Sequence, residues 1–239
     1  MTHLPSTQIR QMFGEIAGWY DFLNHLLSLG VDRSWRGKTV RLVAPQDRAG
    51  PILDVCTGTA DLALAYWRAS RRMSAVHVVG TDFCRPMLKI GNKKCRRVGA
   101  GDRLELIEAD TVSLPFPDEV FQIVSVAFGL RNVGDPDKGL QEMIRVCRRG
   151  GSVAVLEFSM PRIWPFNVLY NWYFHRVLPR IGQTLARNTQ KAYNYLPESV
   201  SRFPQGEAFV ERMRGAGLKE VAIYPFTFGI ATLYVGKKG

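Results

Sequence analysis

The chain has 239 residues, 46% of them hydrophobic, enough for one α/β domain with a sizeable core and too apolar for a mainly disordered chain. Its 32 Lys and Arg against 21 Asp and Glu give a net charge of +11. That excess leaves a nucleic acid backbone or an anionic membrane face open as partner, but the cations are scattered in pairs such as Arg71-Arg72 and Lys93-Lys94, and a solvated surface explains them as well. Four cysteines without a C-x-x-C pair, and four histidines that do not cluster with them, predict reduced thiols and no metal. Met1 to Gln11 lack the apolar core of a secretory signal, and the aromatic run Ile163 to Phe174 is too short to span a bilayer, so a cytoplasmic protein is expected.

Residues 1 to 45 read as helical and aromatic, with Phe13, Trp19, Tyr20, Phe22 and Trp35. Residues 51 to 62 carry the most information: an apolar strand containing Asp54 runs into the tight turn Cys56-Thr57-Gly58-Thr59-Ala60, with Asp61 just beyond. A second strand, Val76 to Thr81, ends in Asp82. In a βαβ unit an acid at the tip of the second strand can accept both ribose hydroxyls of a nucleoside lying over the first turn. A dinucleotide turn needs Gly-x-Gly-x-x-Gly so that a pyrophosphate can approach the backbone; this one has only Gly58, and Asp61 would repel a diphosphate. Asp54, Asp61 and Asp82 together suit a cationic, phosphate-free nucleoside, and S-adenosylmethionine has that chemistry. An ordinary turn, with Asp61 placed near a helix start for dipole reasons, is the bland alternative.

Further along, Arg85 to Val98 is predicted as a helix, Leu104 to Ala109 as a third strand, Gln122 to Phe128 as a fourth, Asp137 to Cys147 as a helix and Ser152 to Phe158 as a fifth strand. Gly150-Gly151 reads as the helix stop before that strand. Such alternation predicts parallel strands joined by right-handed crossovers. Val221 to Pro225 and Ile230 to Val235 read as a terminal hairpin, completing a seven-stranded, mostly parallel Rossmann-like sheet with one reversed strand. Residues 161 to 204 interrupt the pattern with Trp164, Phe166, Tyr170, Trp172, Tyr173, Phe174, Tyr193 and Tyr195. With residues 1 to 45 they would roof the carboxyl ends of the strands, where open α/β sheets bind ligands. Two aromatic insertions without a polar recognition cluster favour a greasy, planar acceptor, although any one of these rings is an ordinary core cap.

Several motifs carry a resemblance. Phe13 to Asn24 and Ser28 to Trp35, then Leu114-Pro115-Phe116-Pro117-Asp118, Phe128-Gly129-Leu130-Arg131-Asn132-Val133, Arg145 to Gly151, Leu156 to Pro161, Tyr193 to Ser199 with Phe203-Pro204, and Gly229 to Leu233 are similar to elements of the menaquinone/ubiquinone biosynthesis C-methyltransferases, nearly end to end. The Phe-Gly-Leu-Arg-Asn-Val string is the most specific. The resemblance implies one S-adenosylmethionine-dependent methyltransferase domain over residues 1–239, with a helical lid at 1–45 and an aromatic lid at 161–204. It carries cofactor contacts onto Thr59, Asp82 and the pair Asp110-Thr111, the last beside the adenine, with Phe83 and Met87 as walls of the slot.

The implied reaction is carbon methylation of a prenylated quinol by in-line displacement at the sulfonium methyl. Positioning can supply about 7–11 kcal/mol of such a barrier. The resemblance points to Arg131 and Asn132 as catalytic: Arg131 to stabilise quinolate charge or orient a water that takes the proton, Asn132 to fix it. The bland alternative is an Arg131 paired with a carboxylate; Tyr20 and His25 are weaker candidates. A substrate with an isoprenoid tail predicts peripheral, salt-sensitive contact with anionic membrane through Ile163 to Leu178 and Arg162, Arg176 and Arg180, and no nucleic acid partner. Alternatives stay open: a methyltransferase acting on RNA or on another small molecule, and a binding protein without turnover. The chain departs from the pattern at Thr57 and Ala60, where glycines are usual, and at Ala127, Arg149 and Asp32, where serine, proline and histidine are common. Non-glycine residues resist the positive φ that such a turn requires.

Overall fold

The computed structural model describes residues 6–28, 30–73, 75–161 and 198–239, with the single positions 164, 176 and 195; at 6 and 19–27 it describes the backbone alone. Most of the 161–204 segment, and the side chains of Trp19, Tyr20, Phe22 and His25, therefore lie outside the described residues.

Two helices open the chain, α1 Ser6–Leu27 and α2 Val31–Leu42. Then β1 Ile52–Val55, α3 Asp61–Ala69, β2 Val78–Asp82, α4 Arg85–Arg97 and β3 Leu104–Glu108 alternate. They are followed by β4 Phe121–Ala127, a 3-10 turn Leu130–Asn132, α5 Pro136–Val146 and β5 Cys147–Phe158. Helix α6 Glu207–Gly215 leads into β6 Leu218–Phe226 and β7 Ala231–Lys238. The strands form one sheet in the order β3-β2-β1-β4-β5-β7-β6, and β7 alone runs antiparallel to its neighbours. The expected seven-stranded Rossmann-like sheet with one reversed strand is what is found.

The central strands β1 and β4 are buried on both faces, as parallel strands covered by helices must be, and are apolar apart from Asp54, Gln122 and Ser125. Successive residues point to opposite faces. Ile52 enters the core beneath α2 and α3 with Trp35 and Tyr66, whereas Leu53 and Val55 enter the core beneath α5 and α6 with Met143 and Phe209. Asp54 therefore falls on the α2–α3 side, at the last turn of the sheet before the loop. Gln122, a second polar intrusion, closes the α2–β1 connection: its Nε2 donates to the carbonyl of Gln46 at 3.0 Å and its Oε1 accepts from the Gln46 N–H at 2.8 Å.

Most boundaries shift by one to three residues, and the largest difference from the sequence reading is at the start of β5. Gly150-Gly151 does not stop α5, which ends at Val146 and passes straight into β5 at Cys147. The glycines instead bend the start of β5, where the register to β4 shifts between Phe121 and Ile123. Gly150 has φ +69°, and a Cβ on Gly151 would lie 2.7 Å from Cys147 Sγ.

Candidate active site

The loops after β1, β2, β3 and β4 converge at the carboxyl edge of the sheet. The β1 turn is built from left-handed backbone at three of five positions, Cys56 (φ 49°), Gly58 (φ 57°) and Ala60 (φ 68°). Of the two positions where glycine was missing from the pattern, Ala60 holds positive φ and Thr57 does not. Ala60 is tolerated because the turn is over-determined: its N–H donates to the Thr57 carbonyl at 2.9 Å, and the Thr57 N–H donates to Thr81 O at 2.8 Å.

Asp82 anchors the same turn from the other strand. Its Oδ2 accepts from the Gly58 N–H at 2.8 Å and its Oδ1 from the Cys84 N–H at 2.8 Å. Burial raises its pKa to about 6 against the pull of those two amides. Asp54 accepts from Thr57 Oγ1 at 2.7 Å and from Ser125 Oγ at 3.0 Å, and burial raises it further, to about 7. The Cys56 thiol, which lies 3.2 Å from Thr111 Oγ1, is pushed far up by burial and then by Asp82, so it is no thiolate nucleophile.

Two adjoining hollows result. The cleft holds Gly58 and Asp82 on one side, Phe83 and Met87 as apolar wall, Asp110 and Thr111 at one end, and Asn132 at the other. Phe13 of α1 closes over it, packed with Ala17 against Cys84 and Met87. Among the described residues, two carboxylates and no cation line this cleft in a protein of net charge +11. Asp110 also holds its own turn, Oδ1 accepting from the Val112 N–H at 3.1 Å. The second hollow, a crevice, is lined by Arg36, Asp54, Thr57, Thr59, Asp61 and Ala127 and shares Cys56 and Gly58 with the cleft.

The three acids expected in one pocket are thus divided: Asp82 faces the cleft, Asp54 and Asp61 the crevice. Asp61 is also less bare than its position in the chain suggests, since Lys94 Nζ binds it at 2.7 Å and donates to Thr59 Oγ1 at 2.9 Å. Arg131 and Asn132 occupy the 3-10 turn after β4. Asn132 lines the cleft, whereas Arg131 is buried behind it, its Nη1 2.6 Å from both Glu157 Oε2 and the Phe128 carbonyl. Arg131 is thus paired with a carboxylate, the alternative that the sequence left open. Arg131 Nε and Asn132 Oδ1 are buried without a hydrogen-bond partner among the described residues. Close approach of the β1 and β4 turns depends on Gly129, where a Cβ would stand 2.4 Å from Cys56 Cβ.

Sequence reading passed over Arg36, Lys94 and Glu157. Only Arg36 left a local trace, its i,i+4 spacing from Asp32 on a helix; the other two meet their partners across long stretches of chain.

A family model for the ubiE/COQ5 methyltransferase family matches residues 1–238. The chain belongs to that family. It is 44% identical over 232 residues, 97% of this chain and 89% of the relative, to the "Ubiquinone/menaquinone biosynthesis C-methyltransferase UbiE" of Geobacter sulfurreducens. It is 40% identical over 233 residues, 98% of this chain and 93% of the relative, to the "Demethylmenaquinone methyltransferase" of Bacteroides fragilis. Among solved structures, an S-adenosylmethionine-dependent methyltransferase of Thermotoga maritima superposes with a TM-score of 0.63 at 17% identity, covering 97% of this chain and 100% of that one. That last likeness carries the fold alone.

Proposed function

We propose that the protein uses S-adenosylmethionine to methylate a ring carbon of a prenylated quinol, of the naphthoquinol or benzoquinol class on which its named relatives act. One observation supports this most: a cleft lined by Asp82 and Asp110 and, among the described residues, by no cation, in a strongly basic chain of this family. A phosphate-bearing coenzyme is disfavoured there, and a sulfonium is favoured.

The residues present fit the cofactor. Asp82, held by two backbone amides, keeps lone pairs for both ribose hydroxyls. Phe83 and Met87 offer apolar faces to the adenine, with Asp110 and Thr111 at its edge. Gly58 admits the close backbone approach, while Thr59, Asp54 and Asp61 shape the crevice beside it. When bound, S-adenosylmethionine supplies an electrophilic methyl on a positively charged sulfur. The protein's part is to exclude water, align the acceptor carbon and manage the quinol's protons. Asn132 faces the acceptor side of the cleft and holds a quinol oxygen. Arg131, with its charge matched by Glu157, is better placed to orient a water or the quinol oxygen through Nε than to supply net positive charge. Cys56 stays protonated and takes no proton.

Contact with an anionic membrane accompanies this reading, because such an acceptor resides in lipid. No helix among the described residues is long and apolar enough to cross a membrane. Helix α4 presents exposed Lys89, Lys93, Arg96 and Arg97 and contains no acid, beside the α1 helix that closes the cleft.

The deciding assay offers reduced demethylmenaquinol, the corresponding benzoquinol precursor and RNA, and follows the mass gain of one CH2. Methylation of either quinol carbon supports the reading; methylation of RNA alone, or of a quinol oxygen, overturns it. Binding to phosphatidylglycerol vesicles that is lost at high salt supports the membrane contact, and equal recovery in the soluble fraction at low salt removes it.

A further inference from the structure

At the edge of the sheet opposite the cleft, the starts of β4 and β5, the first half of β6 and the end of β7 surround a hollow of about 440 Å³. Small-molecule sites commonly have about 300–1,000 Å³. The α2–β1 connection, residues 42–46, forms one wall, and Tyr224 stands on the β6 side. Ile123 and Val235, which belong to the core beneath α2 and α3, give the hollow an apolar floor. Leu42 and Tyr224 keep 47% and 37% of their surface exposed there.

The cations of the hollow are poorly matched by acids. In the pair Arg148-Arg149, Arg149 turns outward and meets Glu119 at 3.2 Å, whereas Arg148 lines the hollow. Arg148 Nε is buried without a hydrogen-bond partner among the described residues, although buried polar atoms are normally satisfied. Glu119 is further engaged by Lys238 at 3.5 Å. Lys237, the second cation of the lining, donates to Ser152 Oγ at 2.8 Å and so is held by a hydroxyl in place of a carboxylate. Against these two cations the lining sets one acid, Glu220, so it carries one net positive charge.

The geometry points to this hollow as a binding site for a monoanion with an apolar ring, an aryl carboxylate. Arg148 and Lys237 take the carboxylate, and the ring lies between Tyr224 and the connection at residues 42–45. A guanidinium offers a fork of N–H donors that matches a carboxylate. A phosphate monoester, with nearly two negative charges, exceeds what the lining neutralises, and a neutral ring leaves Arg148 Nε unsatisfied. The hollow shares no lining residue with the cleft or the crevice, so this site stands independently of the cofactor reading.

Titration with 2-naphthoate, 2-naphthylmethanol and 2-naphthyl phosphate, followed by ligand-observed NMR, tests the assignment on wild type, Arg148→Gln and Lys237→Gln. Wild type should bind 2-naphthoate with a Kd of about 0.1–1 mM. The neutral alcohol should bind about tenfold weaker, as should 2-naphthoate to Arg148→Gln, and Lys237→Gln should lose about three- to tenfold. Saturating S-adenosylmethionine or duroquinone should change the 2-naphthoate affinity by less than about twofold, because the hollow lies away from the cleft. The inference fails if 2-naphthoate does not saturate below about 10 mM, if the alcohol binds equally well, or if the phosphate binds tighter than the carboxylate. It also fails if duroquinone displaces 2-naphthoate, which places the probe at the acceptor end of the cleft. The comparison of carboxylate with alcohol needs no variant to fold, and exposed Lys237 supplies a second variant should Arg148→Gln be unstable.

Discussion

The two ends of the site are built differently. At the nucleoside end, backbone does the holding: both oxygens of Asp82 are engaged by amides of the β1 and β2 loops, and the turn around Gly58 is tied by main-chain bonds. At the acceptor end, side chains hold one another, through the buried Arg131–Glu157 pair, and three buried polar atoms there, Arg131 Nε, Asn132 Oδ1 and Tyr195 Oη, have no partner among the described residues. Buried polar atoms are normally satisfied. The nucleoside end is complete in itself, whereas the acceptor end has hydrogen-bonding capacity to spend on what enters the cleft.

Substitutions should separate the two ends. Asp82→Ala removes the acceptor of two ribose hydroxyls and frees the β1 turn; the loss is expected at about 3–6 kcal/mol in S-adenosylmethionine affinity, enough to abolish a measurable titration. Retained micromolar binding would show that Asp82 only ties the turn. Glu157→Gln leaves the Arg131 charge buried and unmatched, at a cost of about 3–5 kcal/mol in folding stability, read by urea denaturation with the cofactor affinity of the folded fraction unchanged. Asn132→Ala is expected to reduce kcat by about 10²–10³-fold with S-adenosylmethionine affinity intact. If instead Asn132→Ala weakens cofactor binding and spares turnover, the two ends are not the separate devices described.

How far the sequence discloses these ends follows from the range of the interactions. The β1 turn and Asp82 were legible because the strand, turn and next strand tip occur in one βαβ unit with fixed spacing, so Gly58 and Asp82 could be put at the same edge of the sheet from the chain alone, whereas Phe83 came only with the resemblance. That Asp61 would be matched by Lys94 was not legible: the two are 33 residues apart, and only the close approach of α4 to the β1 turn, with Gly91 against Ala60, brings them together. The Glu157 partner of Arg131 lies 26 residues on, at the end of β5, and is reached only because β4 and β5 are neighbours in register. Gly150-Gly151 misled for a related reason. Glycine marks a backbone irregularity without saying whether it ends a helix or bends a strand.

Titration probes the difference between Asp82 and Asp54. Ribose recognition requires the Asp82 carboxylate, so S-adenosylmethionine affinity should weaken as pH falls through about 6, approaching tenfold per unit below it. Stability of the unliganded chain runs the other way. Asp54, raised from 3.8 to about 7 by burial, favours the fold fully only below its ordinary value, and that contribution is lost as pH rises through about 7. Asp82, raised from 3.8 to about 6, adds to the slope with the same sign, so Asp54→Asn should reduce the slope without abolishing it in a series of denaturation curves from pH 4 to 8, and leave the Asp82-dependent binding profile in place. A wild-type slope unchanged by Asp54→Asn assigns the effect elsewhere.

The smallest expected effect lies at Ala60, where the chain departs from the glycine-rich form of the turn. Relief of an L-residue at φ 68° would favour Ala60→Gly by about 1–2 kcal/mol. Two terms oppose it. The Ala60 methyl is fully buried, and removing a buried methyl costs about 0.8 kcal/mol, while the added freedom of glycine in the unfolded chain costs about 0.4–1 kcal/mol. The terms nearly cancel, so thermal unfolding of Ala60→Gly should fall within about 1 kcal/mol of wild type, with S-adenosylmethionine affinity unchanged because the Gly58 amide stays tied to Asp82. A gain in affinity of tenfold or more would mean that Ala60 holds the turn away from its best cofactor-binding shape, and that the nucleoside end is less complete than its hydrogen bonds imply.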